Sequence, residues 1–223
     1  MSCEFQLHAP HSAERAPLER FIQSAYQRVY GAQLSEFMPL LLELRNAGGC
    51  QAALGMRPAT IMRPGAVATP LFLENYLDQP VEQVIAGRVG RPVARGDVVE
   101  IGNLAAATRG ASPLLFLITA AALEAARYRW LTFTATAQVE KLVTRLQYAP
   151  LLLSDVDPAR LGERVHSWGS YYETLPRVMC CPLPEALDAG RTNPVIAATL
   201  AAHAPTIAAL AQQLGDYRLR GLS

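Results

Sequence analysis

Val98-Val99-Glu100-Ile101-Gly102-Asn103-Leu104, running on into Ala105-Ala106-Ala107-Thr108-Arg109-Gly110-Ala111-Ser112-Pro113, is the stretch whose reading decides the fold. The first seven residues have the character of a central strand: largely apolar, yet carrying a glycine and two polar side chains. Glycine inside a strand marks a bulge, or a place where a ligand approaches the backbone. The remainder turns into a helix, with Ser112 as the expected N-cap and Pro113 at the first helical position. That helix continues to about Arg127. Trp130 to Thr134 then forms another strand and Ala137 to Gln147 another helix. Strand, loop, helix, strand, helix predicts a parallel pair with a right-handed crossover.

Working outward, Glu4 to His8 alternates as an opening strand does, and Pro17 to Tyr30 has helical apolar spacing stopped by Gly31. Pro39 to Arg45 and Cys50 to Met56 flank Asn46-Ala47-Gly48-Gly49, a hairpin signal. Leu71 to Val89 predicts helical turns broken at Pro80. After Pro150 come a short apolar run, a charged helix over Pro158 to Val165, the aromatic segment Trp168-Gly169-Ser170-Tyr171-Tyr172, and a final strand over Arg177 to Cys181. Asn193-Pro194 opens a long alanine-rich helix ending near Gly215. Its Ile196, Leu200, His203, Ile207, Leu210 and Leu214 form a seam for packing on the domain or on a second subunit, so a homodimer is one expectation. Pro205 should kink it. The division expected is 1–183 for an α/β domain, with a mixed sheet flanked by helices, and 184–223 for a C-terminal helical extension.

Composition narrows the function classes. Of 223 residues, 51% are hydrophobic and 17% charged, which excludes disorder and allows a large core. A net charge of +1, from 20 basic and 19 acidic residues, gives no electrostatic case for binding nucleic acid. No segment reaches the roughly 18 to 20 uninterrupted apolar residues that span a bilayer, so no membrane insertion is expected. Met1-Ser2-Cys3-Glu4-Phe5 has no basic segment followed by an apolar one, and a cytoplasmic location is expected. Cys3, Cys50, Cys180 and Cys181 are expected to stay reduced. His8, His11, His166 and His203 lack metal-ligand spacing, so no metal is expected.

Several residues carry chemistry with a bland reading beside it. The turn Thr108 to Ser112 delivers the chain to a helix N-terminus, where free N–H groups and the dipole suit a phosphate; Arg109 and Gly110 fit that role, although an ordinary strand–helix turn would look the same. Glu100 inside an apolar strand is either a carboxylate of raised pKa, fit to deprotonate an amine, or one member of a structural pair with an arginine. Asn103 is a clamp for an amide-like ligand, or satisfies the backbone at a bulge. Thr132, Thr134 and Thr136 point hydroxyls into a cleft, or are simply good strand formers. Trp168, Tyr171 and Tyr172 line a slot, or lie over the core as a lid. Glu74, Tyr76 and Glu82, in an unusually acidic segment, hold a cationic substrate, or belong to a solvated face.

Four blocks carry a resemblance. Phe72-Leu73-Glu74-Asn75-Tyr76-Leu77-Asp78-Gln79-Pro80-Val81-Glu82, Val99-Glu100-Ile101-Gly102-Asn103-Leu104-Ala105, Phe133-Thr134-Ala135-Thr136 and Trp168-Gly169-Ser170-Tyr171-Tyr172 resemble the signature blocks of the thermostable hemolysin family, over about residues 5 to 180. That family is grouped with the GCN5-related acetyltransferases (GNAT) and, more loosely, with the acyl-homoserine-lactone synthases. The resemblance implies a GNAT-like fold and an acyltransferase. Glu100, Gly102 and Asn103 would border the reaction centre, Leu104 and Ala105 would meet the donor's pantetheine, and Arg109, Gly110, Ala111 and Ser112 would hold its phosphate. A tyrosine, Tyr148 or one of Tyr171 and Tyr172, would protonate the leaving thiolate. No tightly bound cofactor is implied; acyl-coenzyme A or an acyl-phosphopantetheine on an acyl carrier protein is the co-substrate, and a small amine the acceptor. Thr108-Arg109-Gly110-Ala111-Ser112 departs from the usual Arg/Gln-x-x-Gly-x-Gly/Ala loop by keeping one glycine, which fits a weaker pyrophosphate cradle or a carrier-protein donor. Asn103 also stands where the lactone synthases have the arginine of a Glu-x-x-Arg-like strand. The other readings are a protein that only binds an acyl ligand, and a membrane-active hemolysin, against which the missing signal and spanning segments argue.

Overall fold

The computed structural model describes residues 3–60, 70–108 and 110–220. At its hairpin, the Asn46 carboxamide oxygen accepts the Gly48 N–H at 2.8 Å, an Asx turn that folds β2 (Leu40–Asn46) back on β3 (Gly49–Pro58). β1 (Glu4–His8) pairs antiparallel with the outer side of β2, and β4 (Val98–Ala106) antiparallel with β3. α3 (Ala111–Ala125) carries the chain across to β5 (Trp130–Ala135), which lies parallel to β4 as the alternation predicts. The last two strands enter out of chain order. β7 (Arg177–Pro182) pairs antiparallel with β5, and β6 (Leu151–Asp155) lies outside it, giving the order β1-β2-β3-β4-β5-β7-β6.

β2 reads as a nearly continuous apolar run because both its faces are covered. Leu40, Leu42 and Leu44 face α3, while Leu41 meets Leu18 and Ile22 of α1 (Arg15–Tyr30). α3 is buried from Leu115 to Leu123, the core helix its composition predicts. Its first residue is Ala111 and its N-cap is Gly110, so Ser112 sits within the first turn and makes no cap; Pro113 is still tolerated there, where N–H groups lack intrahelical partners. The Leu71–Val89 stretch divides at Pro80 into a 3₁₀ helix, Phe72–Tyr76, and α2 (Val81–Val89). α4 (Ala137–Arg145) follows β5, and Pro158–Trp168 winds as 3₁₀ turns broken at Gly162 rather than as one helix. The four cysteines are free; adjacent Cys180 and Cys181 point into different core clusters from β7.

The C-terminal part holds a helix that sequence reading passed over, α5 (Leu183–Arg191), begun by Pro182 and Pro184. The expected long helix is two: α6 (Pro194–Ala202), capped by Asn193 Oδ1 on the Val195 N–H at 2.9 Å, and α7 (Ala204–Arg220), bent by 68° where Pro205 enters. Ile196, Leu200, Leu210 and Leu214 of the seam are buried in the same core as α3. Arg218 fixes α7 by an ion pair to Asp97 at 2.9 Å and by stacking over Tyr128. Among the described residues no single helix is long and apolar enough to cross a membrane; α6 and α7 together satisfy only the length and composition of a span.

Candidate active site

β4 and β5 pair from Val98↔Trp130 to Ile101↔Phe133 and no further. Beyond that point β4 stays with β3, through Gly102↔Gly55 and Ala105↔Ala53, while β5 stays with β7, through Thr134↔Val178. The two central strands therefore part at Gly102 and Thr134, and a cavity of about 350 Å³ occupies the gap. Gly102, Asn103 and Leu104 line one side of it and Phe133, Thr134 and Thr136 the other. The Thr134 hydroxyl, on the cavity wall, is buried without a protein partner among the described residues. Thr132 faces elsewhere: its hydroxyl donates to the Val99 carbonyl at 3.1 Å.

Glu100 lies at the inner end of this cavity, 2% exposed. Its Oε2 accepts the Phe72 N–H at 2.7 Å and its Oε1 the Leu73 N–H at 3.0 Å. Burial pushes its pKa up to about 7, against the opposing pull of those two N–H groups and of Arg57. The structural partner is thus the backbone of the 3₁₀ helix and not an arginine. A carboxylate with a pKa near neutrality and lone pairs to spare beside a cavity has the chemistry a general base needs.

Asn103 sits in the bulge that the strand glycine signals. Leu54 of β3 faces both Asn103 and Leu104, and Asn103 takes φ 51. Its side-chain oxygen accepts the Met38 N–H at 2.9 Å, so the carboxamide ties the segment before β2 to the cavity wall. Gly102 and Gly55, paired across β3 and β4, make room for Met38: a Cβ on either would come within 2.8 Å of the methionine side chain. What approaches the backbone at Gly102 is this side chain.

The outer wall is aromatic. Trp168, Tyr171, Phe72 and Tyr76 line it with Tyr26 and Tyr30 of α1, which sequence reading placed in a helix of apolar spacing and gave no role in a site. Trp168 packs 5.4 Å from Phe72 and 5.1 Å from Tyr171, ring centre to centre. Tyr172 stands behind the wall and reaches the site through Tyr76, the two hydroxyls sharing a 2.6 Å hydrogen bond. Burial raises the Tyr172 phenol to about 12 and Tyr171 well above 10, so both remain protonated donors at neutral pH.

Several expectations are corrected. Glu74 and Glu82 do not line the cavity; the cation they hold is Arg95, at 2.7 Å from each. Glu74 also accepts the N–H groups of Leu71 and Val81, which locks together the two pieces of the Leu71–Val89 stretch, and Arg95 draws its carboxyl below the usual range despite burial. Arg95→Met should strand two largely buried carboxylates and cost about 3 kcal/mol, a breakage penalty rather than the worth of the pair. A urea midpoint unchanged from wild type would contradict this. Tyr148 is a core residue: its hydroxyl is buried without a partner among the described residues, its ring packs on Phe116, and burial raises its pKa far above 10. It does not line the cavity, although Phe116 does.

Of the phosphate turn, Arg109 lies outside the described residues. Gly110, Ala111 and Ser112 form the N-terminal end of α3 with their amides in its first turn, and Ala105 is buried against α1 rather than in the cavity wall. Among the described residues no group of three His, Cys, Asp or Glu side chains is placed to hold a metal.

No curated protein matches the sequence. Solved structures with this fold include the AHL synthase LasI, at TM-score 0.56 and 10% identity over 82% of this chain and 90% of that one. BjaI, a CoA-dependent acyl-homoserine lactone synthase with SAM and isopentyl-CoA, matches at 0.55 and 7% over 86% and 89%. FeeM, an N-acyl amino acid synthase from uncultured soil microbes, matches at 0.52 and 13% over 84% and 96%. At such identities the likeness is one of fold: the GNAT-like mixed sheet with flanking helices. The sequence itself matches the thermostable hemolysin family over residues 8–187, most of its length, and the protein belongs to that family.

Proposed function

We propose that the protein is an acyltransferase that moves an acyl group from a coenzyme A or acyl-carrier-protein thioester to a small amine. The observation that carries this reading is the parting of β4 and β5 around an apolar cavity with a near-neutral, buried carboxylate at its inner end. Beyond Ile101 the β5-facing edge of β4 has no strand partner among the described residues, and an extended pantetheine arm suits such an edge. The thioester would then lie between Asn103 and Thr134, with N–H groups near Asn103 and Leu104 aimed at the developing oxyanion. The aromatic wall gives an acyl chain an apolar bed, and the first turn of α3 gives the donor's phosphate a partner. Tyr76, Tyr171 or, through Tyr76, Tyr172 supplies the proton for the departing thiolate. The titles of the similar structures name acyl-homoserine lactone and N-acyl amino acid synthases, which supports the same reaction class.

Purified protein scanned with acetyl-, octanoyl- and palmitoyl-coenzyme A and the matching acyl carrier proteins is the test. A donor at a hundred times its dissociation constant should stabilise the fold by about 2.7 kcal/mol. Selective stabilisation by one chain length, followed by thiol release with an amine panel, is the expected result. No shift with any donor, together with lysis of synthetic vesicles by the pure protein, would overturn it in favour of a directly lytic protein.

A further inference from the structure

Arg57 and Glu100 are facing partners in the antiparallel β3–β4 pair. Side chains at such positions leave the same face of the sheet with Cβ atoms roughly 5 Å apart, and an arginine opposite a glutamate ordinarily closes an ion pair. Here it does not. Glu100 is turned onto the amides of Phe72 and Leu73, and Arg57 reaches the Pro70 carbonyl at 3.4 Å. Opposite charges are thus held apart by anchors on the same segment, and both line the cavity. Among the described residues the other cation on the cavity wall, Arg164, is exposed and bonded to Asn75, and Glu36 is exposed as well.

A bare amine would satisfy only half of this arrangement. Its ammonium would meet Glu100, leaving the Arg57 fork without a carboxylate among the described residues. A molecule with an ammonium and a carboxylate on one carbon satisfies both, and a guanidinium accepts a carboxylate bidentately. We propose that the acceptor is a zwitterionic amine, an α-amino acid with a free carboxylate, held between Glu100 and Arg57. This rests on the acyl-transfer reading. The ammonium gives one proton to the Glu100 carboxylate, and the neutral nitrogen attacks the thioester carbonyl. A C–N bond forms and the C–S bond breaks. The tyrosine protonates the departing thiolate and recovers the second nitrogen proton, and Glu100 returns its own to solvent. The products are an N-acyl amino acid and a free thiol.

The test compares amino acids with their decarboxylated amines, tyrosine with tyramine and leucine with isoamylamine, by thiol release from the preferred thioester. Binding of the same compounds without donor is followed by calorimetry. The carboxylated member should be favoured by 10-fold or more in kcat/KM. Arg57→Gln should raise its KM about 10-fold with kcat within threefold, bring the preference close to one, and abolish calorimetric binding of the amino acid. Amines used as well as amino acids, or an Arg57→Gln variant that keeps the preference, would overturn the zwitterion slot while leaving acyl transfer standing. Arg57-dependent amino-acid binding with no thiol release from any thioester would sustain the slot and overturn acyl transfer. Neither binding nor turnover overturns both.

Discussion

Glu100→Gln should lower turnover by about 10²- to 10⁴-fold, the span a positioned general base contributes. Glutamine keeps the shape and one acceptor for the Phe72 and Leu73 amides but cannot take a proton. In the wild type, kcat/KM should rise with pH through about 7 as the buried carboxyl loses its proton, and this limb should vanish in the variant. The fold responds in the opposite sense. A carboxyl with a folded pKa of about 7 and an ordinary value of 4.5 is protonated more readily in the folded state. Its contribution to stability is complete below about pH 4.5 and is lost as pH rises through 7, an effect of about 3 kcal/mol. Melting curves between pH 5 and 8 should therefore flatten in the variant. Its missing acceptor should also lower stability by roughly 1–3 kcal/mol at low pH. The activity and stability profiles together separate the two roles of the residue. A variant that keeps wild-type turnover while its melting profile flattens would leave Glu100 as a clamp on the 3₁₀ helix and nothing more.

Much of the sheet was legible because local chemistry dictated it. The Asn46–Gly49 turn and the alternation of Glu4 to His8 each have one dominant physical reading, borne out in the β2–β3 hairpin and β1, and of the two readings of the glycine in Val98–Leu104 the bulge is the one seen, at Asn103. The strand order was not legible. β7 inserts between β5 and β6 because Val178 and Cys180 pack beneath Trp130 and Leu153, a matter of tertiary fit that leaves no mark on either strand alone. The site divides in the same way. Glu100 stood out because a carboxylate in an apolar strand is costly wherever it occurs. Glu74 and Glu82 stood out because their segment is unusually acidic and proved structural, since the cation that neutralises them, Arg95, lies beyond α2. Tyr26, Tyr30 and Met38 gave no signal, because an amphipathic helix and an apolar segment look alike whether they border a core or a cavity. Arg57 becomes informative only through its register opposite Glu100.

Gly169→Ala should be among the most damaging single substitutions in the chain, although residue 169 is exposed and does not itself line the cavity. Gly169 takes φ 52 and ψ −129, a region open essentially to glycine alone. A Cβ there would also stand 2.1 Å from the Tyr30 carbonyl oxygen and 2.9 Å from the Gly31 carbonyl carbon, both backbone atoms that have nowhere to retreat. The contact is close because the aromatic loop is fastened to the end of α1: Ser170 N–H donates to the Tyr30 oxygen at 2.8 Å, and Gln33 N–H to the Ser167 oxygen at 2.7 Å. A methyl group at 169 must push these apart, and Trp168 and Tyr171 go with them. Gly162 isolates the cause. It has nearly the same backbone angles, φ 56 and ψ −137, but nothing lies within 4 Å of a Cβ added to it. Gly162→Ala should therefore cost only the backbone strain, about 1–3 kcal/mol. Gly169→Ala should cost that and the collision, more than about 4 kcal/mol. At roughly 2–4 °C per kcal/mol for a chain of this size, the melting temperatures should fall by clearly different amounts. Acyl-donor binding should weaken in Gly169→Ala alone, because only there does the aromatic wall of the cavity move. Equal melting temperatures for the two variants, with equal donor binding, would mean that the loop is free to lift from α1 and that the wall it carries is not part of the site.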